Sequence, residues 1–278
     1  MGLSIWIYPD CHDDGTRFLE RSLWTVGQVR DLAGAGIVRA GEVCLAIESA
    51  TPQASVALLR GEQVLASEVG PSGQHHSESL LPMVDRVLSE AGVSLSKVNS
   101  FALSIGPGAF TSLRIGLATL KGLAFGSPSM AVGVSTLQVL ALSAKRRGLV
   151  QGVSPLVAVL DARREEVYAA AYAPDLVSDP NGEAILPPSV YTADELVKAL
   201  PEGGELVGDG VAVVKKSLID EGPFSAEPEP PSAPHAVSVG LLGQLLFDAG
   251  EGVPAGSLVP RYIRRAEAEA QRTASPLE

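Results

Sequence analysis

Twice in this sequence a short apolar run closes on an acidic residue. Val43-Cys-Leu-Ala-Ile-Glu48 is the first and Leu156-Val-Ala-Val-Leu-Asp161 the second. An uninterrupted apolar run of this length reads as a buried strand. Each is followed by antiparallel partners. After a polar turn over Ser49 to Gln53, Ser55–Arg60 turns at Gly61-Glu62 into Gln63–Val69 as a hairpin. The second run meets Glu166–Tyr172. Alternating helices and strands then follow in both units. The first is expected to hold a helix over 75–92 ended by Gly92, a strand Val98–Ile105 and a sharp turn at Gly106-Pro-Gly108. Next come a helix capped by Thr111 and reaching about Phe125, a strand Ala131–Val134 and a helix near 135–147. In the second, helix 192–200, strand Glu205–Gly208 and helix 211–220 are expected. The same order twice predicts a duplicated α/β fold of two lobes, each with a mixed sheet and helices.

Domain limits follow from composition. Residues 1–40 hold both tryptophans and show neither a strong period nor a signal-peptide pattern, so they are read as an extension outside the domain. A compact pattern starts abruptly at Gly41, which suggests a natural start near Val38 and a gene-model artefact upstream. Residues 41–150 form the N-terminal lobe and 151–222 a smaller second lobe. A proline-rich loop spans 223–235, an apolar helix 236–249 packs back on the first lobe, and 250–278 is a tail.

The chain carries 32 acidic and 21 basic residues, a net charge of −11. Such a body is repelled by phosphate backbones and anionic membranes, so self-sufficient nucleic-acid binding is disfavoured and a function in RNA chemistry would need a partner that supplies positive charge. Two cysteines, Cys11 and Cys44, are too few for a disulfide framework or a cysteine metal site, and a reducing cytoplasm fits. No stretch is long and apolar enough to span a membrane.

An acid at the end of the first strand of each half resembles the layout of the actin, Hsp70 and sugar-kinase (ASKHA) architecture. There two acids face a nucleotide and its metal across a cleft. The finer motifs are more specific. Leu45-Ala-Ile-Glu-Ser-Ala-Thr51, Gly106-Pro-Gly-Ala-Phe-Thr-Ser-Leu-Arg-Ile-Gly116, Gly133-Val-Ser-Thr136, Asp161-Ala-Arg163 with Glu166-Val-Tyr168, and Tyr262-Ile-Arg264 with Glu267 resemble the TsaB (YeaZ) family. That resemblance implies a part in making N6-threonylcarbamoyladenosine (t6A) beside the anticodon of tRNAs reading ANN codons. It implies a heterodimer with the catalytic subunit TsaD, on which the ATPase TsaE acts. The family usually has Ser and Gly where Ala109 and Ser112 stand, and Asp more often than Glu at position 48. Ser112 is expected to resist a backbone shape that Gly permits.

The residues argue for a subunit with no catalytic group of its own. TsaD carries a metal-binding histidine pair just after the segment that corresponds to Gly133-Val134. Ser135 to Leu140 offer no imidazole, so that metal site is not expected here. His75 and His76 are adjacent and cannot both face one ion from a helix. The loop Ser49–Ala54 and the turn Asp161–Glu166 contain no glycine, whereas phosphate cradles rely on close backbone approach. Glu48, Gly106, Gly108, Asp161, Gly208 and Gly210 are therefore read as a weak or vestigial nucleotide site, with Gly106 and Gly108 serving tight backbone packing. No cofactor of its own is expected. ATP or ADP would sit at a subunit interface. No His-Glu-x-x-His and no Gly-x-Ser-x-Gly occurs, which disfavours a protease.

On helix 75–92, Leu80, Leu81, Met83, Val84, Val87 and Leu88 span an arc of roughly 160° at 100° per residue, broader than one sheet face needs. Leu113 and Leu117 form one face of the next helix. The expected partner surface is therefore His76, Leu80, Met83, Val84, Val87, Leu113, Arg114 and Leu117, with Arg114 facing an acid. The resemblance implies that TsaD docks there, or a second copy when TsaD is absent. Charges at Met83 and Val87 are expected to abolish docking without unfolding the chain. The alternatives are a small-molecule kinase or ATPase of the same fold that still uses Glu48 and Asp161, or a stand-alone homodimeric module.

Overall fold

The computed structural model describes residues 42–148, 154–217, 223–226 and 233–263. The proposed extension 1–40 and the start near Val38, along with Arg264 and Glu267, lie outside the described residues. In the first half β1 (Val43–Glu48), β2 (Ser55–Arg60) and β3 (Gln63–Val69) form a meander. It continues through α1 (His76–Glu90), β4 (Ser100–Gly106), α2 (Phe110–Ala124), β5 (Met130–Ser135) and α3 (Thr136–Arg146). The second half repeats the order: β6 (Leu156–Arg163), β7 (Glu166–Tyr172), β8 (Leu186–Thr192), α4 (Ala193–Ala199), β9 (Gly204–Val207), α5 (Val211–Ser217), β10 (Phe224–Ala226) and α6 (Ala236–Asp248).

Both sheets have the same strand order. The first runs β5-β4-β1-β2-β3, with the short β11 (Val253–Pro254) added beside β5. The second runs β10-β9-β6-β7-β8. In each, the acid-ending strand is antiparallel to the next strand and parallel to the strand that follows a helix. Matched order, matched pairing sense and matched helices make this the duplicated actin/Hsp70-like fold.

Three apolar clusters set the layers. α1 and α2 cover one face of the first sheet through Leu80, Met83, Val87 and Leu120 against Leu45, Ile47 and Phe101. α4 and α5 cover the far face of the second sheet through Leu196 and Val214 against Val157 and Val159. Between the sheets lie α3 and α6, packed with Cys44, Ala46 and Ala102 from one side and Leu156, Ala158 and Leu160 from the other. α6, the last helix of the second half, lies on β1, β2 and β4 of the first. Its Ala236 N–H donates to Ser55 Oγ (2.9 Å). Gly243 lets it seat closely, because a Cβ there would lie 2.6 Å from that of Ala102. His235 caps α6 by accepting from the Val237 N–H at Nδ1 (3.1 Å), which needs a neutral ring. Burial supplies that condition by pushing its pKa down to about 4.

Some expectations need correction. Thr111 does not cap α2. Ala109 holds the N-cap position, with no side-chain bond, and Thr111 lies inside the first turn. The loop expected over 223–235 contains β10, and β8 was not foreseen at all. Pro187 and Pro188 break its strand signature, which a sheet tolerates because β8 is an edge. Ser112 needs no glycine-like backbone. It sits in regular helix and its carbonyl accepts from Ser49 Oγ (3.2 Å).

Candidate functional site

The end of β1 is the natural place to look for chemistry, because ligands of open α/β sheets bind beyond the carboxyl ends of parallel strands. Glu48 stands there with 0% exposure. Its Oε1 accepts from the Ala50 N–H (2.6 Å), while Oε2 has no hydrogen-bond partner. Burial pushes its pKa up to about 7, against the smaller opposing effects of the Ser104 hydroxyl and the Ala50 amide. The loop that follows is bolted to both outer helices. His76 Nε2 donates to the Thr51 carbonyl (2.8 Å), Ala109 N–H to the Ala50 carbonyl (2.8 Å) and Ser49 Oγ to that of Ser112.

The chain's own backbone thus occupies the room a phosphate would need. A Cβ on Gly108 would run into the Ala50 carbonyl oxygen. Gly106 has φ +127 and faces the Arg261 carbonyl so closely that no side chain fits. Segment 258–263 crosses the β4–α2 elbow at this point, with Arg261 N–H donating to the Ile105 carbonyl (2.7 Å).

The second acid is engaged elsewhere. Asp161 accepts from the Arg163 N–H (2.7 Å) and from Arg163 Nη1 (3.0 Å), and its own N–H donates to Asp209 Oδ1 (3.0 Å). Burial, aided by the charge of Asp161, raises the Asp209 pKa. Asp209 sits between Gly208 and Gly210. Gly208 has φ +110 and abuts the Val159 carbonyl, and Gly210 N–H donates to that same carbonyl (3.1 Å). A groove of about 210 Å³ beside Asp161 is lined by Arg163, Arg164, Glu165, Val213, Lys216 and Ser217, all from the second half. Arg163, Arg164 and Glu165 hold successive φ values of 66°, 58° and 63°, a costly run for residues with side chains.

An Mg-nucleotide, which this architecture implies, does not fit these residues. Glu48 is sealed, Gly106 and Gly108 press on backbone, and Asp161 is tied to Arg163. Among the described residues no group of three His, Cys, Asp or Glu is placed to hold a metal ion. No helix among them is long and apolar enough to cross a membrane.

The expected partner surface is corrected by burial. His76, Leu80, Met83, Val84, Val87, Leu113 and Leu117 all lie in the chain's own interior. Most of the broad arc on α1 is covered by β2, β3 and α2, which pack around it from more than one side, while Leu81 stays exposed and Leu88 half-buried. Arg114 alone of the eight is exposed. The open apolar surface lies one step further round. Leu81 is 55% exposed, and with Val84, Leu88, Val93, Leu95 and Leu123 it borders a groove of about 420 Å³ between α1 and the end of α2. The sequence signal for Leu81 was the same apolar stripe; what it lacked was the side on which β3 ends.

Comparison with known proteins gives a consistent picture. A family model described as TsaD, tRNA N6-adenosine threonylcarbamoyltransferase, matches residues 69–204. The tRNA threonylcarbamoyladenosine biosynthesis protein TsaB of Escherichia coli is 40% identical over 150 residues, 52% of this chain and 63% of that protein, so the match spans somewhat less than two thirds of it. The TsaB protein of Buchnera aphidicola from Schizaphis graminum is 30% identical over 178 residues, 63% of this chain and 82% of that one. The solved structure of YeaZ from Pseudomonas aeruginosa superposes with a TM-score of 0.64 at 31% identity, covering 80% of this chain and 99% of its own.

Proposed function

We propose, from the premise that this chain belongs to the TsaB (YeaZ) family, that it is a non-catalytic subunit which binds TsaD and activates it for t6A formation on tRNA. The observation that carries the reading is the closure of the β1 end. A carboxyl with 0% exposure, beside glycines pressed against backbone, cannot meet a metal-bound nucleotide. What a relative of the transferase can still offer is surface. The Leu81–Leu95–Leu123 groove supports docking on the α1–α2 side. TsaE then acts on the pair, tRNA is held through the complex, and ATP or ADP binds between subunits. A homodimer through the same side would form where TsaD is lacking.

The test is reconstitution with unmodified tRNA, threonylcarbamoyl-adenylate, TsaD and TsaE, with and without this chain, scoring modified nucleoside by chromatography. Product that requires the chain and persists with Asp161→Ala supports an activating subunit. Product indifferent to the chain overturns it. Product lost with Asp161→Ala in a folded protein moves the kinase or ATPase reading forward.

A further inference from the structure

The exposed Arg114 of the expected partner surface is the centre of an ordered side-chain cluster. Arg114, on the outer side of α2, lies flat on the Phe110 ring with its guanidinium carbon 3.6 Å from the centroid. Its Nε donates to Tyr262 Oη (3.1 Å). The Phe110 and Tyr262 rings meet at 4.9 Å, tilted by 32°. Tyr262 is brought there by the chain's return from α6. β11 pairs with β5, Lys121 Nζ donates to the Gly256 carbonyl (2.9 Å), Leu258 is buried, and Arg261 is tied to Ile105. The strap 253–263 thus runs along α2 and ends on Arg114.

Two other arginines in this acidic chain are held by acids. Arg86 grips Glu68 through Nε and Nη2, and Arg163 grips Asp161. Arg114 is held by two rings and a phenol oxygen instead. Among the described residues no carboxylate pairs with it. With Nε donating to Tyr262 Oη and one face covered by Phe110, the guanidinium is held in place, and no acceptor among the described residues takes a hydrogen bond from its terminal amino groups. A pre-ordered guanidinium loses little entropy on taking a carboxylate, and its geometry suits a bidentate one.

We infer that the start of α2 and the C-terminal strap together form a carboxylate-receiving contact, in which Arg114, positioned by Phe110 and Tyr262, takes an acidic side chain of a partner protein. The inference rests on the proposed role as a partner subunit. It adds the strap to the docking surface and names the chemistry of the group received. A protein carboxylate fits better than an RNA phosphate. The neighbouring exposed groups are Val259, Tyr262 and Arg261, and although Arg261 adds one positive charge the chain as a whole repels a polyanion.

The experiment is calorimetric titration of TsaD from the same organism with the full chain and with Arg114→Ala, Arg114→Lys, Tyr262→Phe and Tyr262→Ala, each checked for an unchanged melting profile. Arg114→Ala is expected to weaken binding by roughly ten- to hundredfold. Arg114→Lys should not restore it, because an ammonium neither stacks nor forks. Tyr262→Phe keeps the ring and should lie between the parent and Tyr262→Ala. Raising salt should weaken the parent complex more than the Arg114→Ala complex. Unchanged affinity of Arg114→Ala overturns this contact and leaves the partner role standing. Absence of binding by the unaltered chain overturns both. Loss of tRNA retention by the complex with subunit affinity intact assigns Arg114 to RNA and overturns the protein carboxylate.

Discussion

Glu48 is a buried carboxyl whose protonation is strongly shifted by folding. Its folded pKa of about 7 stands against 4.5 for an exposed glutamate. A carboxyl whose folded pKa is raised contributes stability that is complete below the unfolded value and is lost as pH climbs through the folded one. Between pH 4.5 and 7 the folded chain alone retains that proton, so stability falls by about 3 kcal/mol and then levels off. His235, with a folded pKa of about 4, runs the other way and loses stability as pH drops below 6.5. The difference between parent and Glu48→Gln isolates the glutamate. Urea unfolding at pH 5 and pH 8 should show the variant gaining on the parent by about 3 kcal/mol across that interval; an equal change in both proteins would mean that Oε2 has a proton-independent partner. Met83 and Val87, each 1% exposed, give the second prediction at this scale. Met83→Asp and Val87→Asp place a charge in the α1 core and should each cost about 4 kcal/mol or more, read as loss of the cooperative melting transition. This outcome would run against the sequence-based expectation of an intact fold with lost docking, since helical spacing tells which side chains share a stripe but not how many neighbours surround it.

At the scale of elements, α2 is the informative case. Its N-cap Ala109 sits at φ −65° and ψ 122°, the extended geometry a capping residue needs, yet it has no side-chain oxygen to offer. Ala109→Ser should supply an acceptor for the first-turn amides and add about 1 kcal/mol, a rise in Tm of about 2–4 °C for a chain of this size. Thermal unfolding with no gain would mean those amides already have partners. α4 shows the cap completed, with Thr192 Oγ1 accepting from the Glu195 N–H (3.3 Å) and Glu195 Oε2 accepting from the Thr192 N–H (2.8 Å). Elements of this kind, with a strong period and a marked end, were legible in the sequence. β1 to β3 and α1 fall close to where the apolar pattern puts them. β8, β10 and β11 were not, because an edge strand is made by the neighbour that lends it hydrogen bonds. Leu186-Pro-Pro-Ser carries no alternation to announce it.

At the scale of the molecule the two halves repeat in order but are not independent. α6 belongs by sequence to the second half and by packing to the first, where it covers Leu59, Ala102 and Val132. A fragment ending at residue 148 would keep α3 but lose α6, and with it the larger part of the cover on that face of the first sheet. Such a fragment should lack a cooperative urea transition and regain one when the remainder of the chain is added; a sharp transition from the fragment alone would show that α6 is dispensable. Sequence by itself determined the duplication, since an apolar run closed by an acid and followed by the same element order twice is a local pattern. It also marked Glu48, Gly106, Gly108, Asp161, Gly208 and Gly210 as the strand ends where chemistry would sit. Only the tertiary structure decided what became of them. Whether an acid meets solvent, whether a glycine faces a ligand or a carbonyl, and whether a leucine stripe meets a sheet or water all depend on chain segments far apart in sequence. The strap that brings Arg261 onto Gly106 and Tyr262 onto Arg114 spans 148 positions in the latter pair, a separation over which no local pattern carries information.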